Sequence, residues 1–193
     1  GSTVNVTKIE ALSGGAVWLL TETEGAIRID TNPEDYSLTS QWYSAQSGQF
    51  SATRVFGVYE DLSGNEWILS DNGLGMLTAG QTTPASYFAD TAEREKKGGQ
   101  AFYSCLESDS EIYFGSDNGR VWCYQKGNGQ FQLQNLPASS RIVSINSVEG
   151  NELIFTTAKD GFFSYQPKTK ALEHFPASRF PNASIHSVYV DKA

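Results

Sequence analysis

Arginine and aromatic residues recur at comparable places along the chain, and their side chains could together recognise an acidic sugar. A guanidinium group binds a carboxylate or sulfate through two parallel hydrogen bonds, and an aromatic ring offers an apolar face on which a sugar ring can stack. The candidate ligand-binding residues are three arginines in or beside predicted loops and three aromatic residues that precede such loops: Arg54, Arg141, Arg179, Trp42, Tyr43 and Tyr87. A structural alternative stays open, because aromatic rings also pack between sheets and arginines also pair with neighbouring acids.

Residues suited to catalysis are sparse. The sequence has neither a Gly-x-Ser-x-Gly motif nor a glycine-rich phosphate loop before a helix. Its two histidines, His174 and His186, are predicted to be structural, because a metal site would need at least a third ligand. The pair Glu60-Asp61 ends a predicted strand, which favours a turn role in which Asp accepts backbone hydrogen bonds. The sequence therefore predicts no enzyme activity, cofactor or metal site in this chain.

Charge and cysteine usage exclude further classes of protein. The 193 residues include 14 basic and 22 acidic side chains, for a net charge of −8, so no nucleic-acid partner is expected. No apolar run approaches the roughly 20 residues of a membrane helix, and no membrane contact by this segment is expected.

Cys105 and Cys123 are predicted on strands two apart in one sheet, about 9.5 Å from each other. Because a disulfide needs Cα atoms within about 7 Å, both thiols are predicted to be free.

The elements that would position these residues are short β-strands arranged in a repeat. Apolar runs rich in β-branched and aromatic residues alternate with clusters of Gly, Asn, Asp, Ser and Pro, which indicates an all-β chain. Each repeat has a large apolar residue followed six or seven residues later by a glycine, at intervals of about 40 to 50 residues. These large residues are Trp18, Trp67, Tyr113 and Ile154. Each repeat predicts four strands, here called A to D.

A tight hairpin between strands B and C is the clearest local feature of the repeats. Its turns are Asp71-Asn72-Gly73, Asp117-Asn118-Gly119 and Lys159-Asp160-Gly161. Asn-Gly and Asp-Gly suit a type I′ turn, in which both central residues take positive φ. The B strands are almost continuously apolar, as expected of sheets covered on both faces. Four-stranded antiparallel sheets of this kind predict a partial β-propeller; a parallel β-solenoid is less suitable, since it does not use tight hairpins.

The predicted blades cover approximately residues 4–53, 54–100, 101–141 and 142–184. Residues 185–193 match strand A of the second repeat in their apolar alternation, so they are predicted to begin a fifth blade. An open arc would expose the flanks of its outer blades. The expected protein partners are therefore the remaining blades of a larger propeller or a second copy of the chain. Loops from strand D to the next strand A are predicted to share a face with the B–C turns; they are 44–53, 90–100, 135–140 and 176–184.

Residues 58–74 carry a resemblance to a known family. They include Glu60-Asp61, Gly64-Asn65-Glu66-Trp67-Ile68 and Gly73-Leu74, and this order resembles the two-component regulator propeller repeat. Weaker copies of the pattern extend the resemblance over nearly the whole chain. It implies a β-propeller from the periplasmic sensor region of a Bacteroidetes hybrid two-component system.

What the resemblance implies about function is a set of expectations. The chain would be a non-catalytic, ligand-sensing fragment in the periplasm, the extracytoplasmic part of an inner-membrane protein, and would respond to oligosaccharides. A histidine kinase would lie elsewhere in the full-length protein. The alternative is a structural or secretion-associated propeller that serves as a scaffold for protein–protein contacts. A glycan lyase or hydrolase propeller is a weaker third alternative.

Overall fold

A computed structural model describes residues 4–89, 101–148 and 151–180 of the chain. The chain divides into two compact units, Gly1–Phe102 and Tyr103–Ala193. The predicted start of a fifth blade at 185–193, His186, the loop at 90–100 and the end of the last D–A loop lie outside the described residues. Within the described residues there is no α-helix, and the prediction of an all-β chain is confirmed.

Unit 1 contains two four-stranded antiparallel sheets whose strands lie in sequence order. The strands of sheet 1 are β1 (Val6–Ala11), β2 (Val17–Thr21), β3 (Ala26–Thr31) and β4 (Leu38–Tyr43). The strands of sheet 2 are β5 (Val55–Glu60), β6 (Glu66–Ser70), β7 (Gly73–Leu77) and β8 (Ala85–Tyr87). The four strands of each sheet are strands A to D of one repeat.

Unit 2 is built from two sheets of the same order. Sheet 3 has the strands β9 (Phe102–Glu107), β10 (Glu111–Ser116), β11 (Arg120–Gln125) and β12 (Gln130–Asn135). Sheet 4 has the strands β13 (Ile142–Val148), β14 (Glu152–Thr157), β15 (Phe162–Gln166) and β16 (Ala171–Phe175), followed by one 3-10 turn at Ala177–Arg179.

The core of unit 1 lies between its two sheets. Trp18 and Tyr43 of sheet 1 are fully buried in one cluster with Val58 and Ile68 of sheet 2. A polar link crosses the same interface, because the indole Nε1 of Trp18 donates to Oε2 of Glu66 at 2.7 Å. The almost continuous apolar character of strand B follows from this packing: residues 67–70 of β6 are all buried.

One face of sheet 1 stays partly open. Across it, Ile9 pairs with Leu19, Leu19 with Ile27 and Ile27 with Trp42. Ile9 is 64% exposed. In sheet 2, Ile68 follows Trp67 of strand B as Leu19 follows Trp18 in sheet 1, and Ile68 is fully buried. Sheet 1 therefore covers the face of sheet 2 that carries Ile68, whereas the corresponding face of sheet 1, which carries Leu19, stays partly open.

The core of unit 2 includes one of the two cysteines. Cys123 of β11 is buried in a cluster with Tyr113, Phe155 and Phe163. Cys105 lies half-buried on β9, and neither cysteine forms a disulfide, as the sequence predicts. Burial raises the pKa of Cys123 to about 12, so its thiol stays protonated at neutral pH and is a poor nucleophile.

The B–C turns are not all of the predicted type. In sheet 3, Asn118 and Gly119 both have positive φ, and the type I′ prediction is confirmed. In sheets 2 and 4 the prediction is wrong: Gly73 and Gly161 have positive φ, but Asn72 and Asp160 do not. The difference lies in a bond that the last hydroxyl of strand B accepts: in sheet 2, Ser70 Oγ accepts from the N–H of Asn72 and donates to the carbonyl of Gly73. Thr157 makes the same two bonds in sheet 4. In sheet 3, Ser116 Oγ donates to the carbonyl of Arg120.

Candidate functional site

One end of each sheet holds its B–C turn and the D–A loop, and we call it the loop end. In unit 1 the two elements are hydrogen-bonded to each other, so they share one end of the sheets, as predicted. The Asp71 carboxylate of the B–C turn accepts from the backbone N–H groups of Thr53 and Arg54, both at 3.1 Å. The N–H of Gly25, in the B–C turn of sheet 1, donates to the Thr53 carbonyl at 2.8 Å. The D–A loop is thus bound to the B–C turns of both sheets that it connects.

Unit 2 repeats this arrangement with different residues. The Asp160 carboxylate accepts from the N–H groups of Ser139 and Ser140 at 3.2 and 2.9 Å, and Gly119 N–H donates to the Ser140 carbonyl. Burial acts to raise the pKa of Asp160, but these bonds and the Ser140 hydroxyl outweigh it and lower that pKa. The carboxylate therefore stays ionised and holds the D–A loop in place.

The three candidate arginines are exposed, and each guanidinium lies over a different aromatic ring. Arg54 lies 5.3 Å from the ring centre of Phe56, Arg141 lies 5.1 Å from that of Tyr103, and Arg179 lies 5.9 Å from that of Phe175. Such a contact is worth about 0.5–1 kcal/mol at an exposed site. It restrains the guanidinium, so less conformational entropy is lost when its N–H groups bind an anion.

Arg141 has the most developed surroundings of the three. Tyr103 beneath it donates its hydroxyl to the Asp117 carboxylate at 2.9 Å. Burial, followed by this hydrogen bond, raises the pKa of Tyr103 to about 12, so the ring stays neutral. Asp117 belongs to the B–C turn of sheet 3, and Arg141 ends the D–A loop that binds this turn. The loop end of unit 2 therefore presents a guanidinium on a fixed aromatic support.

The candidate aromatic residues occupy different environments. Trp42 and Tyr87 are half-buried, and the Tyr87 ring lies 6.0 Å from that of Trp67. Tyr43 is fully buried, with its ring centre 4.9 Å from that of Trp18, and burial raises its pKa to about 12. Its ring belongs to the core of unit 1 and has no open face on which a sugar could stack. The binding roles of the other residues stay predictions.

The opposite end of each sheet carries its A–B and C–D turns, and we call it the A–B end. In unit 1, the Glu60 carboxylate from sheet 2 reaches the A–B turn of sheet 1. Its Oε2 accepts from Ser13 N–H at 2.7 Å, Ser13 Oγ at 2.8 Å and Gly14 N–H at 3.2 Å. The Ser13 hydroxyl is the main cause that lowers the pKa of Glu60. The sequence assigned Glu60 to a turn, but not to the turn of the preceding sheet.

We expect this contact to make the stability of unit 1 depend on pH. The folded-state pKa of Glu60 is lowered, so its contribution is present above the ordinary pKa of a glutamate and is lost as the pH falls through the folded-state pKa. In urea unfolding, Glu60→Gln should lower the free energy of unfolding at pH 7, and the difference from wild type should shrink as the pH approaches 3. A difference that stays constant between these pH values would contradict the expectation.

The A–B end of unit 2 contains a cavity of about 360 Å³. Sheet 3 contributes its A–B turn and parts of β9 and β10; sheet 4 contributes parts of β13 and β14 and its C–D turn. The lining residues are Leu106, Glu107, Ser108, Asp109, Ser110, Glu111, Tyr113, Ser147, Asn151, Leu153, Pro167 and Lys168. Sequence reasoning missed this site, because no motif marks it. The one available signal is the polar run Ser108-Asp109-Ser110 at the A–B turn.

Two features of the described residues concern metals and membranes. No three His, Cys, Asp or Glu side chains within 4–89, 101–148 and 151–180 are grouped so that they could hold a metal ion. His174 instead stacks on Phe163, with ring centres 4.2 Å apart. Over the same part of the chain, no helix has the length and apolar character needed to cross a bilayer.

Comparison with known proteins identifies the fold. No protein-family model and no curated protein matches the sequence. Among solved structures, the extracellular domain of BT4673 from B. thetaiotaomicron is similar over 97% of this chain and 25% of its own, with a TM-score of 0.75 and 17% identity. BT4673 is described as a one-component system in that structure and as a hybrid two-component system in another, which has a TM-score of 0.72.

Two further structures carry other functions. Virginiamycin B lyase from Staphylococcus aureus is similar over 90% of this chain and 56% of its own, with a TM-score of 0.65 and 17% identity. PorZ, a surface component of the type-IX secretion system of Porphyromonas gingivalis, is similar over 94% of this chain and 28% of its own, with a TM-score of 0.63 and 12% identity. This chain folds as part of a β-propeller. The four sheets are its blades, and the predicted fold class is confirmed.

The propeller comparison also bears on the resemblance seen in the sequence. Extracellular domains of Bacteroides two-component systems, which that resemblance implies, are among the similar structures. The chain spans about a quarter of the length of these domains. Extracellular domains of two-component systems, a lyase and a secretion component share this fold at low identity. The likeness therefore shows the propeller fold alone, and function has to be argued from the sites.

Proposed function

We propose that this chain is a non-catalytic, ligand-sensing part of an extracytoplasmic regulator and that it binds acidic oligosaccharides at its loop end. The observation that carries the proposal is Arg141, an exposed guanidinium supported by the Tyr103 ring on a loop that Asp160 holds in place. The similarity to extracellular domains of two-component systems supports the sensor role. Kinase and membrane segments would belong to the longer protein of which such a domain is a part.

An arginine in this position suits a carboxylate or sulfate group. Its planar guanidinium can donate two parallel hydrogen bonds to one anionic group, and the aromatic support limits the entropy lost on binding. Arg54 and Arg179 have the same exposed placement over a ring. Within unit 2, a chain of sugar acids could engage Arg141 and Arg179 in turn at the loop end, whereas a neutral sugar would lack the charge that they recognise.

Thermal shift with trigalacturonate and the neutral trisaccharide maltotriose tests the proposal. A ligand that binds only the native state stabilises it by about 2.7 kcal/mol at 100 times its Kd, so trigalacturonate should raise the Tm in a concentration-dependent way. Arg141→Ala should abolish most of this rise. Arg141→Lys, which keeps the charge but loses the planar fork, should lose part of it.

Lys168→Ala is the matched control, because it removes one positive charge from the opposite end of the same unit. It should leave the trigalacturonate shift unchanged. An equal loss in Lys168→Ala and Arg141→Ala would mean that only net charge matters, and it would overturn the loop-end site. No shift with trigalacturonate at any concentration would do the same.

A second candidate function is a scaffold for protein contacts, and the open face of sheet 1 favours it. The cross-strand row of sheet 1 that contains Ile9 and Leu19 corresponds to the row of sheet 2 that contains Ile68. Sheet 1 covers the row of sheet 2, but its own row stays partly open. Because the chain spans about a quarter of the similar domains, the occupant that fits this face is a further blade of a longer protein. This candidate is preferred if every oligosaccharide leaves the Tm unchanged.

A further inference from the structure

We propose that the cavity at the A–B end of unit 2 binds a small neutral polyhydroxylated molecule, such as a single pyranose sugar. This site is separate from the loop end, and the inference stands whether or not the loop end binds an acidic oligosaccharide. It rests on a comparison between the two units, which fill the same place in two different ways.

The repeat gives the cavity a counterpart in unit 1. In sheet 2, Glu60 lies two residues after Val58, which pairs with Ile68 of strand B. In sheet 4, Ser147 lies two residues after Ile145, which pairs with Phe155 of strand B in the same register. Ser147 therefore occupies the position from which Glu60 reaches the A–B turn of the preceding sheet in unit 1.

The turns that face these two residues also correspond. In unit 1 the turn closes with a bond from Leu12 N–H to the Ala16 carbonyl, and in unit 2 with a bond from Ser108 N–H to the Glu111 carbonyl. Asp109 and Ser110 thus stand where Ser13 and Gly14 donate to Glu60. A serine side chain is too short for the role of Glu60, and within the described residues the N–H groups of Asp109 and Ser110 donate to no protein acceptor.

The cavity therefore lies at the place where the Glu60 carboxylate binds the facing A–B turn in unit 1. At about 360 Å³ it falls within the usual range of small-molecule sites, roughly 300–1,000 Å³. Leu106, Leu153 and Pro167 give it an apolar wall, which suits the C–H face of a sugar ring. Hydroxyl, amide and carboxylate groups line the remainder, and they can exchange hydrogen bonds with sugar hydroxyls.

The charges of the lining favour a neutral ligand. Three carboxylates, Glu107, Asp109 and Glu111, line the cavity together with one lysine, Lys168. Glu107 is ion-paired with Lys126. Glu111 accepts hydrogen bonds from Tyr113 and from Gln125, which hold it ionised against the effect of burial. An added anion would face these carboxylates, whereas neutral hydroxyls can donate to them and accept from the free N–H groups of the turn.

The test uses the chain with D-glucose, D-galactose and D-mannose, with myo-inositol as a polyol that is not a sugar, and with D-glucuronate. Isothermal titration should detect binding of at least one of the three neutral sugars, and D-glucuronate should bind at least tenfold more weakly than D-glucose. Binding by myo-inositol alone would extend the ligand class to polyols in general and would still support the site. Absence of binding by all the neutral compounds, or tighter binding of D-glucuronate, would overturn the inference.

Ser147→Glu locates the site, because it installs in unit 2 the side chain that binds the facing turn in unit 1. It should weaken binding of the neutral ligand at least tenfold. Ser147→Gln should do the same without adding a charge, which keeps the test decisive if one variant folds poorly. Glu60→Gln in unit 1 is the control and should bind as wild type does. Unchanged binding in both Ser147 variants would overturn the inference, and a retained trigalacturonate shift in them would show that the two sites act separately.

Discussion

Replacing Gly73 with alanine should lower the free energy of unfolding of unit 1 by more than about 3 kcal/mol. Gly73 has a φ of +94°, and a Cβ atom added to it would lie 2.3 Å from the carbonyl oxygen of Tyr87. That oxygen belongs to the backbone at the end of strand D, so it cannot move aside as the tip of a long side chain can. The substitution should therefore disturb the B–C turn and the attachment of strand D to sheet 2.

Gly15→Ala is the matched control in the same unit. Gly15 has a nearly identical φ of +89°, but no atom lies within 4 Å of its added Cβ. Only the backbone penalty for a left-handed residue remains, which is about 1–2 kcal/mol. Urea unfolding monitored by tryptophan fluorescence measures both losses. Equal losses in the two variants would show that backbone conformation alone requires glycine at position 73.

Removal of the Asp61 carboxylate should have the second large effect, a loss of roughly 3 kcal/mol or more, because hydrogen bonds to a charged group contribute about 1.5–3 kcal/mol each. Asp61 is 7% exposed and follows strand A of sheet 2. Its carboxylate accepts from the N–H groups of Ser63 and Asn65, from the Asn65 side chain and from Trp67 Nε1, all between 2.9 and 3.2 Å. Asp61→Ala would leave the buried indole N–H without this acceptor.

Asp35→Ala provides the comparison for Asp61→Ala. Asp35 also accepts two hydrogen bonds in a turn of unit 1, from the N–H and the hydroxyl of Ser37, but its side chain is exposed. Water replaces these bonds, so the loss should be much smaller than that of Asp61→Ala. The free energy of unfolding and the near-UV circular dichroism of the tryptophans report the result. A similarly small loss in Asp61→Ala would contradict the central role of its carboxylate in this turn.

The two proposed sites lie at opposite ends of the blades. The loop end carries exposed arginines on aromatic supports, and the A–B end of unit 2 carries a cavity lined by polar groups. An anionic ligand is expected at the loop end and a neutral ligand in the cavity. A single panel of acidic and neutral sugars, applied to the Arg141 and Ser147 variants, therefore separates the sites.

The amino-acid sequence determined the strands and their repetition, because local patterns are sufficient for both. Apolar runs predict the B strands, and the recurring glycines mark the ends of the B–C hairpins. The same patterns place Cys105 and Cys123 on strands A and C of one sheet, too far apart for the disulfide that the structure indeed lacks. Such features depend on residues close together in the chain, and the strand pattern recurs in all four sheets.

Tertiary structure alone decided which of these residues can meet a ligand. Tyr43 precedes a loop, as Tyr87 does, yet its ring lies in the core against Trp18. Glu60 binds a turn 46 residues away, and the counterpart residue Ser147 leaves a cavity there. The physical reason is that burial and cavities arise where two sheets pack against each other. The fold brings together side chains that are far apart in the sequence, so the spacing of residues along the chain does not predict the distance between them.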